Sequence, residues 1–189
     1  MRTVVGLMLA LGVAAHMSSG VLRADTPEER RAEMREMASD TLKRLYKNEP
    51  SAKFAIESAA GYAVFKNFGM KILVAGGGKG GGMAVHNATK KETFMKMLEV
   101  QAGLGVGVKK FRVVFVFETP EAFDAFVEQG WEFGAQSTAA AKTDSGGTSL
   151  QGAASVSPGV WMYQLTDKGV ALEITAKGTK YLRNEDLNR

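Results

Sequence analysis

The sequence contains no cysteine and only two histidines among its 189 residues. Without cysteine, neither a disulfide framework nor a thiolate metal site can form. One histidine, His16, lies in the apolar N-terminal segment, which leaves His86 alone in the rest of the chain. No nucleophile elbow is present, and the carboxylates Glu118 and Glu121 fit a helix N-terminus. We therefore predict no metal site, no cofactor and no catalytic residues, and expect that the protein is not an enzyme.

The sequence also lacks an apolar run of about 20 residues, the length that a membrane-spanning helix requires. Its longest apolar run, 4–15, follows Arg2 and precedes small residues that end at Ala24. This pattern is typical of a cleavable export signal. We predict a signal peptide over residues 1–24 and a periplasmic or secreted protein. Because no cysteine is present, the protein is not expected to be a lipoprotein. A buried N-terminal helix is the alternative.

The net charge is small: 24 basic side chains stand against 20 acidic ones, which gives +4. The predicted leader contains two of the basic residues, Arg2 and Arg23, and no acids, which leaves 22 basic and 20 acidic side chains. A nucleic-acid-binding domain is expected to be strongly basic. We therefore predict no nucleic-acid partner.

Glycine is abundant, with 22 residues, and much of it lies in two segments. Residues 101–118, QAGLGVGVKKFRVVFVFE, place alternating glycines before a run of β-branched and aromatic residues, which predicts a buried strand. Residues 74–85, VAGGGKGGGMAV, contain six glycines. Glycines leave one strand face bare, so a helix can approach closely or the sheet can curl. We predict that both segments belong to one curved sheet, and that its bare surface is the best candidate for a binding site.

A phosphate-binding loop is the alternative interpretation of the second segment, because Gly78-Lys79 follows an apolar strand. A Walker A motif, however, requires Ser or Thr after the lysine, and Gly80 stands there. No helix pattern follows that would supply the dipole such sites use. We therefore predict no nucleotide site.

Helix start signals and apolar periodicity predict three helices, two before the first strand and one between strands. Thr26-Pro27 opens the first helix, Glu29 completes a capping box, and the apolar stripe favours packing on a sheet over a membrane surface. Residues 92–100 fit helical and strand periodicity alike, and we favour a strand. The predicted helices cover 27–47, 50–59 and 120–129, and the predicted strands 62–65, 70–74, 131–142, 150–156, 160–165, 170–176 and 178–182. Turns are predicted at 66–69, 85–91 and 157–159, a flexible loop at 143–149, and a charged tail at 183–189.

Basic residues cluster beside the glycine segments, at the predicted turns. If these turns gather on one rim of the sheet, the basic side chains face one anionic surface. The alternative is a scatter of solvated surface charges. The candidate lipid-binding residues are Lys66, Lys79, Lys109, Lys110 and Arg112.

Four segments, taken in order, resemble the SYLF domain family. They are GYAVFKNFG at 61–69, KGGGMAV at 79–85, GLGVGVKKFRVVFVFETPEAFDAFVEQGWEFGAQ at 103–136, and AASVSPGVWMYQLTDKGVALEITAKGTKY at 153–181. Each motif alone is weak, but their order is specific, and the resemblance covers residues 50–182. It implies short helices followed by glycine-rich strands, then an apolar strand leading to a small helix, and a closing hairpin.

The resemblance also implies phospholipid binding. Within the family, some eukaryotic members bind phosphoinositides, yeast members bind actin, and bacterial relatives are typically exported. For an exported bacterial member, the implied ligand is anionic bacterial phospholipid. We therefore expect an exported, non-enzymatic phospholipid-binding protein that acts at the envelope membrane surface. The alternative is a structural or protein-interaction module of the cell envelope that meets another envelope protein and binds no lipid.

The expected architecture is α+β. We predict a curved, glycine-rich antiparallel β-sheet, either open or barrel-like, with an N-terminal helix and a short helix packed on it. The predicted organisation is a signal peptide at 1–24, an N-terminal helical segment at 25–49, and a SYLF-like domain at 50–189.

Overall fold

The computed structural model describes residues 26–67, 76–101, 111–133, 150–166, 169–171 and 179–189. The described helices are α1 (Pro27–Asn48), α2 (Ser51–Ser58) and α3 (Pro120–Glu128). The described strands are β1 (Gly61–Asn67), β2 (Gly76–His86), β3 (Glu92–Gln101), β4 (Arg112–Phe117), β5 (Trp131–Phe133), β6 (Ala154–Ser157), β7 (Val160–Thr166), β8 (Gly169–Ala171) and β9 (Thr179–Arg183). The predicted strand at 70–74, the alternating glycines at 103–107 and the predicted loop at 143–149 lie outside these ranges.

Helix α1 begins at a complete capping box. The backbone N–H of Glu29 donates to Thr26 Oγ1 at 3.2 Å, and the backbone N–H of Thr26 donates to Glu29 Oε2 at 2.7 Å. These two bonds satisfy N–H groups that have no partner within the helix. Acidic residues occupy the first turn and Lys47 the last, which complements the helix dipole. The predicted helix at 27–47 is confirmed.

All strand pairs are antiparallel, and the order across the sheet is β5-β9-β3-β2-β1-β4-β7-β6, with β8 on β7. The ambiguous segment 92–100 is therefore a strand, as favoured. The glycine segment runs unbroken through β2 and pairs on both sides, with β1 and β3. A strand hydrogen-bonded along both edges cannot wrap a phosphate, so the phosphate-loop alternative is excluded.

The sheet is strongly curled. Three strands separate β4 from β9, so a flat sheet would hold them about 19 Å apart. Yet the rings of Phe115 on β4 and Tyr181 on β9 are centred 5.0 Å apart, and Phe115 is 5.5 Å from Trp131 on β5. The predicted α+β architecture, with a curved sheet and helices packed on it, is confirmed.

The curl produces two cores, one on each face of the sheet. The inner face carries an aromatic cluster closed by α3, and the outer face is covered by α1 and α2. Strand β4, which pairs with β1 and β7, is buried on both faces, as its apolar run without alternation predicts. Buried side chains of the inner core include Phe65, Met95, Met97, Phe115, Phe117, Phe126 and Tyr181. Those of the outer core include Leu45, Ile56, Val64, Val114, Val116 and Tyr163.

The glycines of β2 are bare because other side chains occupy their space. A Cβ on Gly81 would lie 2.7 Å from the methyl of Met34 on α1, so this glycine lets the helix approach. A Cβ on Gly80 would lie 2.6 Å from Met97 Cε on the other face. The prediction that glycine permits close approach is confirmed. The prediction that the bare surface is open for binding is wrong at these positions, since the protein's own side chains fill it.

Several predicted boundaries differ from the structure, and two of them have a clear physical reason. Lys66 and Asn67 belong to β1 and not to a turn, because Asn67 bonds Phe111 through both its backbone N–H and its side-chain oxygen. Strand β6 begins at Ala154 and not at residue 150, because residues 150–153 form a turn with Gly152 at a φ of +75°. A left-handed residue interrupts an extended strand.

The C-terminal segment is also different from its prediction as a charged tail. Residues Glu185–Leu187 form a 3-10 turn, and the Leu187 side chain is only 1% exposed. Arg31 Nε on α1 donates to the Leu187 carbonyl at 2.9 Å. Because most residues at 183–189 are polar or charged, the sequence pattern did not reveal that Leu187 packs in the outer core.

Candidate functional site

Strand register brings predicted binding residues together in one region of the sheet. Lys66 on β1 lies opposite both Gly81 on β2 and Arg112 on β4, and Gly81 lies opposite Lys96 on β3. These four residues form one cross-strand row. Because neighbouring strands are about 4.8 Å apart, Lys66 and Lys96 flank the glycine at a separation of about 10 Å.

A second row lies two residues further along the same strands. In it, Lys79 on β2 lies opposite Leu98 on β3, Leu98 opposite Lys180 on β9, and Lys180 opposite Glu132 on β5. The two rows together hold four lysine positions, which we name the basic rim: Lys66, Lys79, Lys96 and Lys180. Lys66 is partly exposed, and Lys96 and Lys180 are exposed.

Arg112, another predicted binding residue, is engaged within the protein. Its guanidinium donates to Asp40 Oδ2 at 2.7 Å and to Thr41 Oγ1 at 2.9 Å, both on α1. This hydrogen bond lowers the pKa of the Asp40 carboxyl from its ordinary value of 3.8. The Arg112 side chain is only 17% exposed. Arg112 thus fastens α1 to β4, and its charge is balanced by a carboxylate.

The structure says less about the remaining predicted binding residues. Lys79 is located by its strand position, and Lys109 and Lys110 lie outside the described residues. Sequence reasoning missed Lys96 and Lys180. Lys96 had a usable signal, because it alternates with Phe94 and Leu98 in a strand. Lys180 had none, because its position beside the rim depends on the pairing of β9 with β3.

Ion-pair partners distinguish the lysines of the rim. Lys180 Nζ lies 3.0 Å from Glu132 Oε2, and both side chains are about half exposed. Lys96 forms no ion pair within the part of the chain that the structure describes. Lys96 is exposed, so its ammonium group lies on the surface.

A cleft of about 560 Å³ lies beside the rim, between α3 with β5 and β9 on one side and the β6–β7 turn on the other. Its buried floor contains the rings of Phe117 and Phe126. Trp131 is partly buried in the same lining. The cleft is lined by Phe117, Ala122, Ala125, Phe126, Gln129, Gly130, Trp131, Glu132, Ser157, Pro158, Val160, Lys180 and Leu182. Among the described lining residues, the ionisable ones are Glu132 and Lys180, which are paired and exposed.

Near the start of β1, at the end away from Lys66, one apolar side chain is exposed to solvent. Phe54 on α2 is 78% exposed, the only exposed large hydrophobic residue in the described ranges. The neighbouring β2–β3 turn is held to α2 by Asn87, whose Nδ2 donates to the carbonyls of Ile56 and Ala59. That turn exposes Lys90 and Lys91. This end of the molecule therefore combines an exposed ring with two lysines.

Two negative findings concern the described residues. No group of three or more His, Asp or Glu side chains there is arranged to hold a metal ion. No helix within the described ranges combines the length and the apolarity needed to cross a membrane.

The fold and the rim define a class of protein: an α+β domain with one curled, glycine-rich sheet and a helix across each face. Residues 98–189 match the family model Ysc84, described as Las17-binding protein actin regulator. The chain is also 35% identical, over 167 residues, to a protein of Aeromonas veronii named beta cell expansion factor A. That alignment covers 88% of this chain and 62% of the relative, so the chain spans less than two thirds of the relative's length. Residues 98–189 therefore resemble the SYLF family, and the relative extends the similarity over most of this chain.

Proposed function

We propose that the protein is an exported, non-enzymatic phospholipid-binding protein that acts at the surface of a bacterial envelope membrane. The ligand is anionic phospholipid, and the contact is the basic rim together with Lys109 and Lys110. The resemblance to the SYLF family supports lipid binding as the kind of activity. The single observation that carries the site is the pair of adjacent cross-strand rows that bring four lysine positions together.

The charge balance of the rim supports an anionic surface as partner. Among the described carboxylates nearby, Asp40 is paired with Arg112, and Glu132 is paired with Lys180 of the rim. Lys96 is exposed and has no ion-pair partner among the described residues, and the paired strands hold the rows in register. Each basic residue near an anionic membrane contributes about 1 kcal/mol to binding. Several lysines held on one face can therefore bind an anionic membrane surface, even without a pocket for the lipid head group.

The test is co-sedimentation with vesicles that contain phosphatidylglycerol. The variant Lys66→Gln/Lys96→Gln removes two rim charges and keeps most of each side-chain stem. Two lost charges of about 1 kcal/mol each predict binding weaker by roughly 10- to 30-fold. The loss should shrink as salt rises, because the Debye length falls from about 10 Å at 0.1 M to about 3 Å at 1 M. Lys109→Ala/Lys110→Ala should weaken binding by a similar factor.

The matched control is Lys90→Gln/Lys91→Gln. It changes the net charge by the same amount, at exposed positions near the opposite end of β1. Binding should be nearly unchanged if the rim is the contact. Equal losses in the rim and control variants would show that only total charge matters. No loss in the rim variant, with the fold intact by circular dichroism, would refute the rim as the binding site.

The second candidate function is a protein-interaction module of the envelope with no lipid ligand. The exposure of Phe54 favours it, because a large ring in solvent gains about 1.5–3 kcal/mol when a partner buries it. The methionines of α1 do not provide such a surface, since Met34 and Met37 pack against the outer core. Loss of a pull-down partner in Phe54→Ser, with vesicle binding absent in the unaltered protein, would favour this function over the first.

A further inference from the structure

The cleft beside α3 is physically continuous with the basic rim. Leu182 and Lys180 both line the cleft. Leu182 lies opposite Lys96, so the row of Lys66 and Lys96 ends at the cleft wall. Lys180 is itself a member of the second row and lies opposite Leu98. Lys180 therefore belongs both to the rim and to the lining of the cleft.

One part of the cleft lining is suited to hydrocarbon. Phe126 and Trp131 lie there with Ala122, Ala125 and Val160, while Gln129, Ser157, Glu132 and Lys180 form the polar part of the lining. Each methylene buried against the apolar part is favourable. The volume of about 560 Å³ lies within the range of about 300–1,000 Å³ typical of small-ligand sites.

We infer that this cleft holds one acyl chain of an anionic phospholipid whose phosphate lies on the basic rim. The inference rests on the proposed function and gives it a second component: the rim recognises the charge, and the cleft takes the chain. The exposed pair of Lys180 and Glu132 marks the boundary between them. Lys180 is placed to exchange its carboxylate partner for the phosphate at the point where the chain enters.

The two tryptophans of the chain provide a direct test, because they lie on different faces. Trp131 lines the cleft. Trp161 is nearly buried in the outer core and donates its indole N–H to Glu118 at 2.9 Å. The probe is lysophosphatidylglycerol brominated along its chain, used below its micelle concentration, since bromine quenches indole emission only near contact. Trp161→Phe, which keeps Trp131, should be quenched, and Trp131→Phe, which keeps Trp161, should not. Equal quenching of both tryptophans, or none of Trp131, would overturn the inference.

A second variant blocks the cleft without touching either tryptophan. Ala125→Phe fills apolar wall that the chain would occupy, and excluding about two methylenes should weaken quenching of Trp131 by roughly tenfold. Ala55→Phe on α2 is the control, because it adds the same ring to a half-buried helical alanine away from the cleft. An unchanged response in Ala125→Phe, with its fold intact, would place the probe elsewhere and refute the cleft as its site.

The failures of the two proposals are distinguishable. If rim variants lose vesicle binding while Trp131 is not quenched, the surface function stands and the cleft inference fails. If Trp131 is quenched but rim variants bind vesicles normally, the cleft stands as an acyl site and the rim does not. Brominated stearate is a second probe for the same quenching experiment. Quenching by stearate but not by the lysophospholipid would identify a free fatty acid as ligand and overturn the phospholipid assignment.

Discussion

Gly82 shows why the aromatic core needs glycine in β2. A Cβ built on Gly82 would collide with the carbonyl oxygen of Val64 and the ring of Phe65. Phe65 lies across this gap and contacts Tyr181 with ring centres 4.7 Å apart. The missing side chain on one strand thus makes room for a ring on the next, which is a known way of stabilising glycine in strands.

Replacing Gly82 with Ala should therefore destabilise the protein by roughly 1–3 kcal/mol, because the added methyl overpacks the core against backbone that cannot move. Chemical denaturation monitored by circular dichroism measures the change. Gly159→Asn is the control, since Gly159 has a φ of +69° and its Cβ position would make only ordinary van der Waals contact, with Glu118. Asn adopts left-handed conformations readily, so the control should cost less than about 1 kcal/mol. A Gly82→Ala variant as stable as the unaltered protein would contradict this account of the core.

At the scale of the element, α1 is held on the sheet by charged side chains as well as by its apolar stripe. Arg35 Nε lies 2.8 Å from Glu92 Oε2 on β3, and its guanidinium lies over the ring of Phe94. Arg112 reaches up from β4 to Asp40. Because these contacts are spread along the helix, α1 is fixed across several strands, which its sequence periodicity alone does not reveal.

The Asp40 contact predicts a pH dependence. The pKa of Asp40 is lowered in the folded protein, so its contribution to stability is present above the unfolded value of 3.8 and disappears as pH falls through the folded pKa. Asp40→Asn should be less stable at pH 7 by at most about 1 kcal/mol, since the carboxylate is half exposed. The difference in stability between the two proteins should narrow as the pH falls below about 3.8.

Urea denaturation of both proteins at pH 7, 4 and 3 checks this prediction. Glu28 and Glu29 also have lowered pKa values, but they are common to both proteins, so their effects cancel in the difference. A gap that stays constant from pH 7 to pH 3 would show that Asp40 does not act through its charge.

At the scale of the whole molecule, the C-terminus is fastened to the middle of the chain. Strand β9 ends at Arg183, and beyond it the side chain of Asn188 continues the pairing with β3. Its Oδ1 accepts from the backbone N–H of Phe94 at 2.9 Å, and its Nδ2 donates to the Phe94 carbonyl at 2.7 Å. One amide side chain thus serves as an extra link of the ladder and fixes the last residues against α1 and β3.

Asn188→Ala should destabilise the protein by about 1–3 kcal/mol, because the N–H of Phe94 would lose its partner in a partly buried site. Thermal or chemical unfolding measures the loss. Glu185→Ala, whose side chain is 72% exposed, should change stability by less than about 0.5 kcal/mol. If both variants behave alike, the terminal segment does not contribute through this link.

Much of the fold followed from local patterns. The capping box at Thr26, the proline starts of the helices and the apolar run of β4 each act within a few residues, so they could be read directly from the sequence. The assignment of Lys66 and Asn67 to a turn, and of 183–189 to a tail, was wrong because polar residues there bond to distant backbone. Asn67 and Asn188 look like turn and tail residues until their partners, Phe111 and Phe94, are brought beside them.

The candidate site divides in the same way. The sequence indicated basic residues near glycine strands and therefore Lys66, Lys79 and Arg112, but it could not distinguish their roles. Arg112 pairs with Asp40 only because β4 lies beside β1 in the sheet and α1 packs across these strands. Only the pairing of β9 with β3 added Lys180 to the rim.

By itself, the sequence determined the helices, most of the strands, the glycine-permitted close packing and the resemblance to the SYLF family, because each depends on residue type and local spacing. The tertiary structure decided the curl of the sheet, the two cross-strand rows and the aromatic-floored cleft. These depend on which strands become neighbours, and residues far apart in the chain, such as Lys66 and Lys96, meet only through that choice. Hydrogen-bonded register, once set, fixes every such pair together.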